Sequence, residues 1–169
     1  MLTEEHYAAI GRVAIAATAL ESSLCMLHVL LDGNKANVTQ LMTRPSVARE
    51  KLAKTAKSTG SVDLAQWLQE CEVSLERRHQ LIHSTWGVVG SSRGGITRGM
   101  PIGSRAKKDR RPDGTTEYYL ELVPANAAQW RQLETELARL DARARPFIRR
   151  AAAGAGLIDA DSMRTEESE

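Results

Sequence analysis

Residues 62–85 read VDLAQWLQECEVSLERRHQLIHST. Along them Leu64, Leu68, Cys71, Leu75 and Ile82 recur in steps of four, three, four and seven, the spacing of one face of an α-helix. Position 78 fills the gap in that series, and it is an arginine. With about 100° per residue, the stripe projects within roughly 20–80° of Arg78, which puts the arginine at the stripe's edge and off the solvent face. A guanidinium there keeps its proton and needs an anionic partner. His79 and His83 project further round, beside Glu72 and Glu76, on a polar flank adjoining the stripe. A fixed cation next to an imidazole suits phosphodiester cleavage. The cation stabilises charge developing on phosphate oxygens, and the imidazole moves a proton near neutral pH.

Upstream, a first helix is expected over 4–32, with Thr3 as its cap, Glu4 and Glu5 at its positive end and Gly33 as its stop. Ile10, Val13, Ala17, Leu20, Leu24, Leu27 and Leu31 form its apolar face, and His28 reads as a core histidine. A connection follows, with a short helical turn at Val38–Met42. Pro45 then suits the first turn of a second helix over 46–58, weakly apolar through Val47, Leu52 and Ala56 and so expected at the edge of the fold. Downstream, Gly87, Gly90, Gly94, Gly95, Gly99, Pro101 and Gly103 break the helical pattern. Trp86–Val89 and Thr115–Val123 read as two strands of a hairpin joined by a basic loop. A fourth helix begins near Pro124 or Ala125, with Trp130, Leu133, Leu137, Leu140 and Ala144 as its stripe, and Pro146 is expected to kink or divide it.

The fold class is therefore mostly α: a bundle of four to five helices with a small β-hairpin and basic loop inserted before the last long helix. One domain over 1–153 carries the insertion at 86–123, and residues 154–169 form a flexible acidic tail. A chain of 169 residues with 42% apolar and 26% charged residues suits one globular domain with a proper core. The net charge of +2 is silent about nucleic acid, but its distribution is not. Within residues 93–111, Arg93, Arg98, Arg105, Lys107, Lys108, Arg110 and Arg111 stand against Asp109 alone, so the loop could contact phosphates, although it lacks aromatics for base stacking. The arginines at 131, 139, 143, 145, 149 and 150 have acids interspersed and read as a solvated helix face.

The pattern of an arginine, a polar residue, three further residues and a histidine resembles the signature of HEPN domains, the higher-eukaryote and prokaryote nucleotide-binding superfamily. Here it is Arg78-His79-Gln80-Leu81-Ile82-His83, and Ser84-Thr85-Trp86 is similar to the continuation in many bacterial members. The resemblance implies a helical bundle of HEPN type and a metal-independent endoribonuclease, acting as a homodimer that joins two copies of the motif at one cleft. It also implies the roles. His83 would transfer a proton during attack of a ribose 2′-hydroxyl on the adjacent phosphate, Arg78 would hold that phosphate, and His79 would orient the site. Glu21, on the margin of the first helix's stripe, would pair Arg78, and Glu76 and Ser84 would support them. A toxin or phage-defence setting, with a cognate protein partner, comes from the same source. The alternative is a catalytically inactive helical module serving as scaffold or antitoxin partner.

Other chemistries find little support. Cys25 and Cys71 sit in apolar helical patterns as buried thiols of a reducing compartment. No Cys or His spacing suits zinc, and no phosphate loop or nucleophile elbow is present, so neither a metal nor a cofactor is expected. The N-terminus is acidic and polar, unlike a secretory signal. Arg12, Glu21 and His28 interrupt the apolar run from Ile10 to Leu31, which a membrane span tolerates poorly. A cytoplasmic protein is expected.

Overall fold

The computed structural model describes residues 2–33, 44–89, 100–110, 113–124 and 126–157. Four helices, α1 (Glu4–Leu31), α2 (Pro45–Thr59), α3 (Val62–His83) and α4 (Ala127–Gly154), enclose the core. Three strands, β1 (Thr85–Val89), β2 (Met100–Arg110) and β3 (Thr116–Pro124), lie between α3 and α4 in sequence. The expected turn at Val38–Met42 and the tail beyond residue 157 fall outside the described residues.

Local chemistry sets the helix ends. Glu4 and Glu5 occupy the first turn of α1, where the Thr3 backbone N–H donates to His6 Nδ1. Asn126 caps α4 by accepting from the N–H groups of Ala128 and Gln129 at 3.0 and 3.2 Å. Between α2 and α3 the chain turns through Gly60 at φ 67°, and the Ser61 N–H then reaches the Ala56 carbonyl.

The core is built along the two longest helices. Ala9, Val13, Ala17, Leu20 and Leu24 of α1 are fully buried, as are Leu137, Leu140 and Ala144 of α4. Cross-links between the helices run in register: Arg131 with Glu5, Arg12 with Glu134 at 3.0 Å, and Ser23 with Asp141 at 2.6 Å. The pairs ascend together, so α1 and α4 are parallel. Helix α3 runs the opposite way, with Trp67 Nε1 donating to the Leu140 carbonyl at 2.9 Å and Ser74 Oγ to Glu136 at 2.6 Å. By length and composition α1 would also cross a membrane; in the fold it packs against each of the other helices.

Four expectations change in whole or in part. Helix α4 is not divided at Pro146. Phe147, Ile148 and Ala151 continue its inward stripe beyond the proline, so packing outweighs the one lost backbone hydrogen bond. The arginines of α4 are exposed at 131, 139, 145, 149 and 150, as expected of a solvated face, but this face also bridges helices: Arg139 and Arg143 close on Glu70 of α3, as Arg131 closes on Glu5. Helix α2 is not merely an edge element: Ala48, Leu52 and Ala56 are buried, with Ala48 in place of the expected Val47.

The fourth change concerns the insertion. Residues 100–110, expected within a basic loop, form the middle strand of an antiparallel sheet ordered β1-β2-β3. β1 pairs with Met100–Ser104 only, whereas β3 pairs with β2 from Ile102 to Arg110. The β2–β3 ribbon therefore continues past the end of β1.

The sheet is fastened to the bundle at Gly103. A Cβ there would lie 2.9 Å from Ser84 Cβ and 3.0 Å from the Trp86 ring, and Trp86 packs edge-on against Trp130 at 5.1 Å. Gly103→Ala is expected to destabilise the protein by about 1–3 kcal/mol, the usual result of overpacking. Gly154→Ala, where no atom lies within 4 Å, serves as its control. Urea unfolding midpoints measure both; equal midpoints would mean the junction yields without strain.

Candidate active site on helix α3

Helix α3 buries more of its surface than the sequence stripe implies. Trp67, Ser74 and Leu81 are buried alongside Leu64, Leu68, Cys71 and Leu75, whereas Ile82 is only half-buried. The buried residues now project from roughly −60° to +80° about Arg78. Arg78 lies within the buried face, not at its edge as the sequence suggested. The reason is that α4 packs on one side of α3 and α1 and α2 on the other.

Arg78 is thus drawn between helices. Its Nη1 lies 3.9 Å from Glu21 Oε1 of α1, with both side chains about one quarter exposed. Its Nε is buried and makes no hydrogen bond. An unsatisfied buried donor costs about 1–3 kcal/mol, and in native folds such a group calls for a reason. Arg77, the neighbouring residue, behaves differently: its Nη1 bonds Glu136 of α4 at 2.8 Å. Arg77 braces the bundle, while Arg78 is held loosely.

A cleft of about 680 Å³ opens beside Arg78, its walls formed by Glu21 and Leu24 of α1, Pro45, Ser46 and Arg49 of α2, and Glu72, Leu75, Glu76, Arg78 and His79 of α3. Arg49 approaches Glu72 at 3.5 Å, again longer than a hydrogen bond. Two guanidinium groups and one imidazole therefore share a space with three carboxylates. Nothing in the sequence spacing pointed to Arg49, which reaches this cleft only through the packing of α2 on α3.

The other residues named from sequence are placed as follows. His79 lines the cleft and is half-buried; Glu76 lines it too. His83, one turn further on, is exposed and does not line it. Its ring centroid lies 4.4 Å from that of His79. Ser84 is buried, and its Oγ donates to the Gln80 carbonyl at 2.5 Å, which closes the end of α3 and leaves the hydroxyl committed to the backbone. His28 is buried near the end of α1. Of the basic residues, Arg105, Lys107, Lys108 and Arg110 belong to β2, while Arg93, Arg98 and Arg111 lie outside the described residues. Among the described residues no three of His, Cys, Asp and Glu gather as metal ligands.

No protein-family model matches this chain, and neither does any curated protein or solved structure compared with it.

The two thiols, Cys25 of α1 and Cys71 of α3, are free and buried within the bundle. Burial pushes the Cys71 thiol up to about 12. Burial also raises Cys25, with the nearby Glu21 carboxylate adding to the shift. Both should stay protonated and unreactive at pH 8 in the folded protein. A thiol reagent is expected to label them only as fast as the protein opens, and labelling at the rate of a free thiol would show that this side of the bundle is not closed.

Proposed function

We propose that this protein is a metal-independent endoribonuclease of the HEPN type, acting in the cytoplasm as a homodimer. The observation that carries this reading is the placement of Arg78: a guanidinium with a buried, unsatisfied Nε, loosely paired to Glu21, in a cleft shared with His79. Such a cation is poised for phosphate, and imidazoles stand on the same helix to move protons. In this reading the ribose 2′-oxygen gives up its proton and bonds to phosphorus. The 5′-oxygen leaves and takes a proton, so the products end in a 2′,3′-cyclic phosphate and a 5′-hydroxyl. Arg78 holds the non-bridging oxygens, His83 transfers protons, and His79 orients the site between them. The exposure of His83 makes a partner subunit part of the proposal, since two copies of the motif facing each other would bring His83 of one copy toward Arg78 of the other. A toxin or phage-defence role with a cognate protein partner belongs to the same proposal.

A second reading has its own support. Between residues 8 and 26 the outer face of α1 carries Ala8, Gly11, Ile15, Thr18, Ala19, Ser22 and Met26, with Arg12 at its margin, and Ile15 is 73% exposed. A helix face of this kind favours packing on another helix. It would serve an inactive interaction module, a scaffold or antitoxin partner, as well as an enzyme.

Incubation with mixed RNA in EDTA separates the two. The wild type is expected to cleave, and Arg78→Ala and His83→Ala to lower the rate by about 10²–10⁴-fold while remaining folded. Cleavage surviving both substitutions would remove the active-site assignment. A folded, dimeric wild type that leaves RNA intact would favour the interaction module.

A further inference from the structure

The β2–β3 ribbon presents a second surface. From Arg105↔Glu121 to Arg110↔Thr116, β2 pairs with β3 alone, an arm of six residues per strand or about 20 Å. At its far end the Thr115 N–H and hydroxyl both donate to Asp113 Oδ1, at 2.9 and 2.6 Å, beside Gly114 at φ 83°. These bonds hold the Asp113 carboxyl below its usual range, the Thr115 hydroxyl contributing most.

The sequence-based objection to nucleic-acid binding was a lack of aromatics in the basic segment. Strand pairing removes it, because the register sets Lys108 opposite Tyr118 and Lys107 opposite Tyr119. Tyr118 is 75% exposed and Tyr119 44%. Aromatic residues make up only 4% of the chain. Trp67 and Trp130 are buried, and Trp86 and Phe147 pack against the core, so two adjacent exposed rings on one arm stand out.

Acidic residues along the arm fall at register positions of one parity. Side chains alternate across a strand, and directly paired residues share a face. The carboxylate residues occupy register positions of one parity: Asp109↔Glu117 and Arg105↔Glu121, with Lys107↔Tyr119 between them. The other parity holds Ala106↔Leu120, Lys108↔Tyr118 and Arg110↔Thr116, with no acid. One set of register positions thus places exposed Lys108 opposite the open ring of Tyr118 and holds no acid. Phosphates are drawn by such cations, and any base can stack on such a ring. An acidic peptide would use the lysine but has no general use for the tyrosine.

We propose that the Lys108–Tyr118 face of this arm binds single-stranded RNA, with a base stacked on Tyr118 and a phosphate at Lys108. The choice of RNA rests on the ribonuclease reading; the surface itself is independent of Arg78 and His83.

The test uses a short labelled 2′-O-methyl RNA, which cannot undergo 2′-oxygen attack, followed by fluorescence anisotropy over a range of salt. The wild type is expected to bind this RNA. Tyr118→Ala should weaken binding by about ten-fold, while Tyr118→Phe keeps it, since the ring and not the hydroxyl stacks. Lys108→Gln should flatten the dependence of log K on log salt by about 0.7. Tyr7→Ala, at an exposed tyrosine of α1, should change nothing, and circular dichroism confirms that each variant folds. Arm-dependent binding by a wild type that fails to cleave ordinary RNA would uphold this inference and sink the ribonuclease reading. Cleavage with binding indifferent to both Tyr118→Ala and Lys108→Gln would do the reverse. Absence of wild-type binding, or displacement of the RNA by polyglutamate as readily as by unlabelled RNA, would overturn the arm's assignment.

Discussion

Two helices of 28 residues, α1 and α4, lie parallel and pack along most of their length, and most of the fold follows from that contact. Parallel neighbours cannot be joined by a short turn; the chain must travel back along the bundle between them. Helix α3 makes that return, antiparallel to α4, and its C-terminal end delivers the chain to the region of Trp86 and Trp130, where α4 begins. The sheet sits at this corner. The small residues Ala9, Ala17 and Ala144, all fully buried, allow the close approach. Arg12, Arg131, Arg139 and Arg143 tie the helices together from the rim, where such pairs each add little and serve more to fix register than to supply stability.

Arg78 is the place where this arrangement accepts a cost. A leucine at that position would complete the buried face of α3. Instead a guanidinium stands there with one nitrogen unsatisfied and its carboxylate partner at 3.9 Å. Arg77 shows that the same helix can seat an arginine within hydrogen-bond distance of a carboxylate. Folds tend to keep local conflicts of this kind where function needs them, and in the ribonuclease reading this contrast between adjacent arginines supports a chemical role for Arg78 more directly than the motif's spacing does.

The helices were legible because their signals are local and periodic. The ends of α1 and α3 fall within two residues of the positions read from Thr3, Gly33, Gly60 and the stripe spacing. What escaped depends on partners distant in sequence. Arg78 looked marginal because Trp67 and Leu81 were not counted in its stripe, and they are buried only because α4 covers that side. Pro146 looked like a break because its local effect is real, yet packing on both sides overrides it. The segment 100–110 looked like a loop because Pro101, Gly103, Lys107 and Lys108 carry weak strand propensity; pairing with β1 and β3 decides its state. The same pairing supplies the arm with tyrosines, and the packing of α2 supplies the cleft with Arg49. Neither could be read from the segment concerned.

Cleft and arm differ in charge, and the difference fits a division of labour in the ribonuclease reading. The cleft sets Arg49 and Arg78 against Glu21, Glu72 and Glu76, so it has little long-range pull on a polyanion. Its cations can still act at close range, once a phosphate displaces carboxylates that are held beyond hydrogen-bond distance. In the ribonuclease reading attraction would come from elsewhere, and Lys108 of the arm, exposed opposite Tyr118, is placed to contribute to it. Binding energy gained away from the reacting bond can hold substrate without stabilising the ground state at the cleft, which leaves Arg78's interaction to strengthen as charge builds on the phosphate. A strongly basic cleft would lose that advantage by holding the uncleaved strand as tightly as the transition state. In the ribonuclease reading, the near-neutral cleft, a weak feature for binding, is therefore a favourable one for turnover.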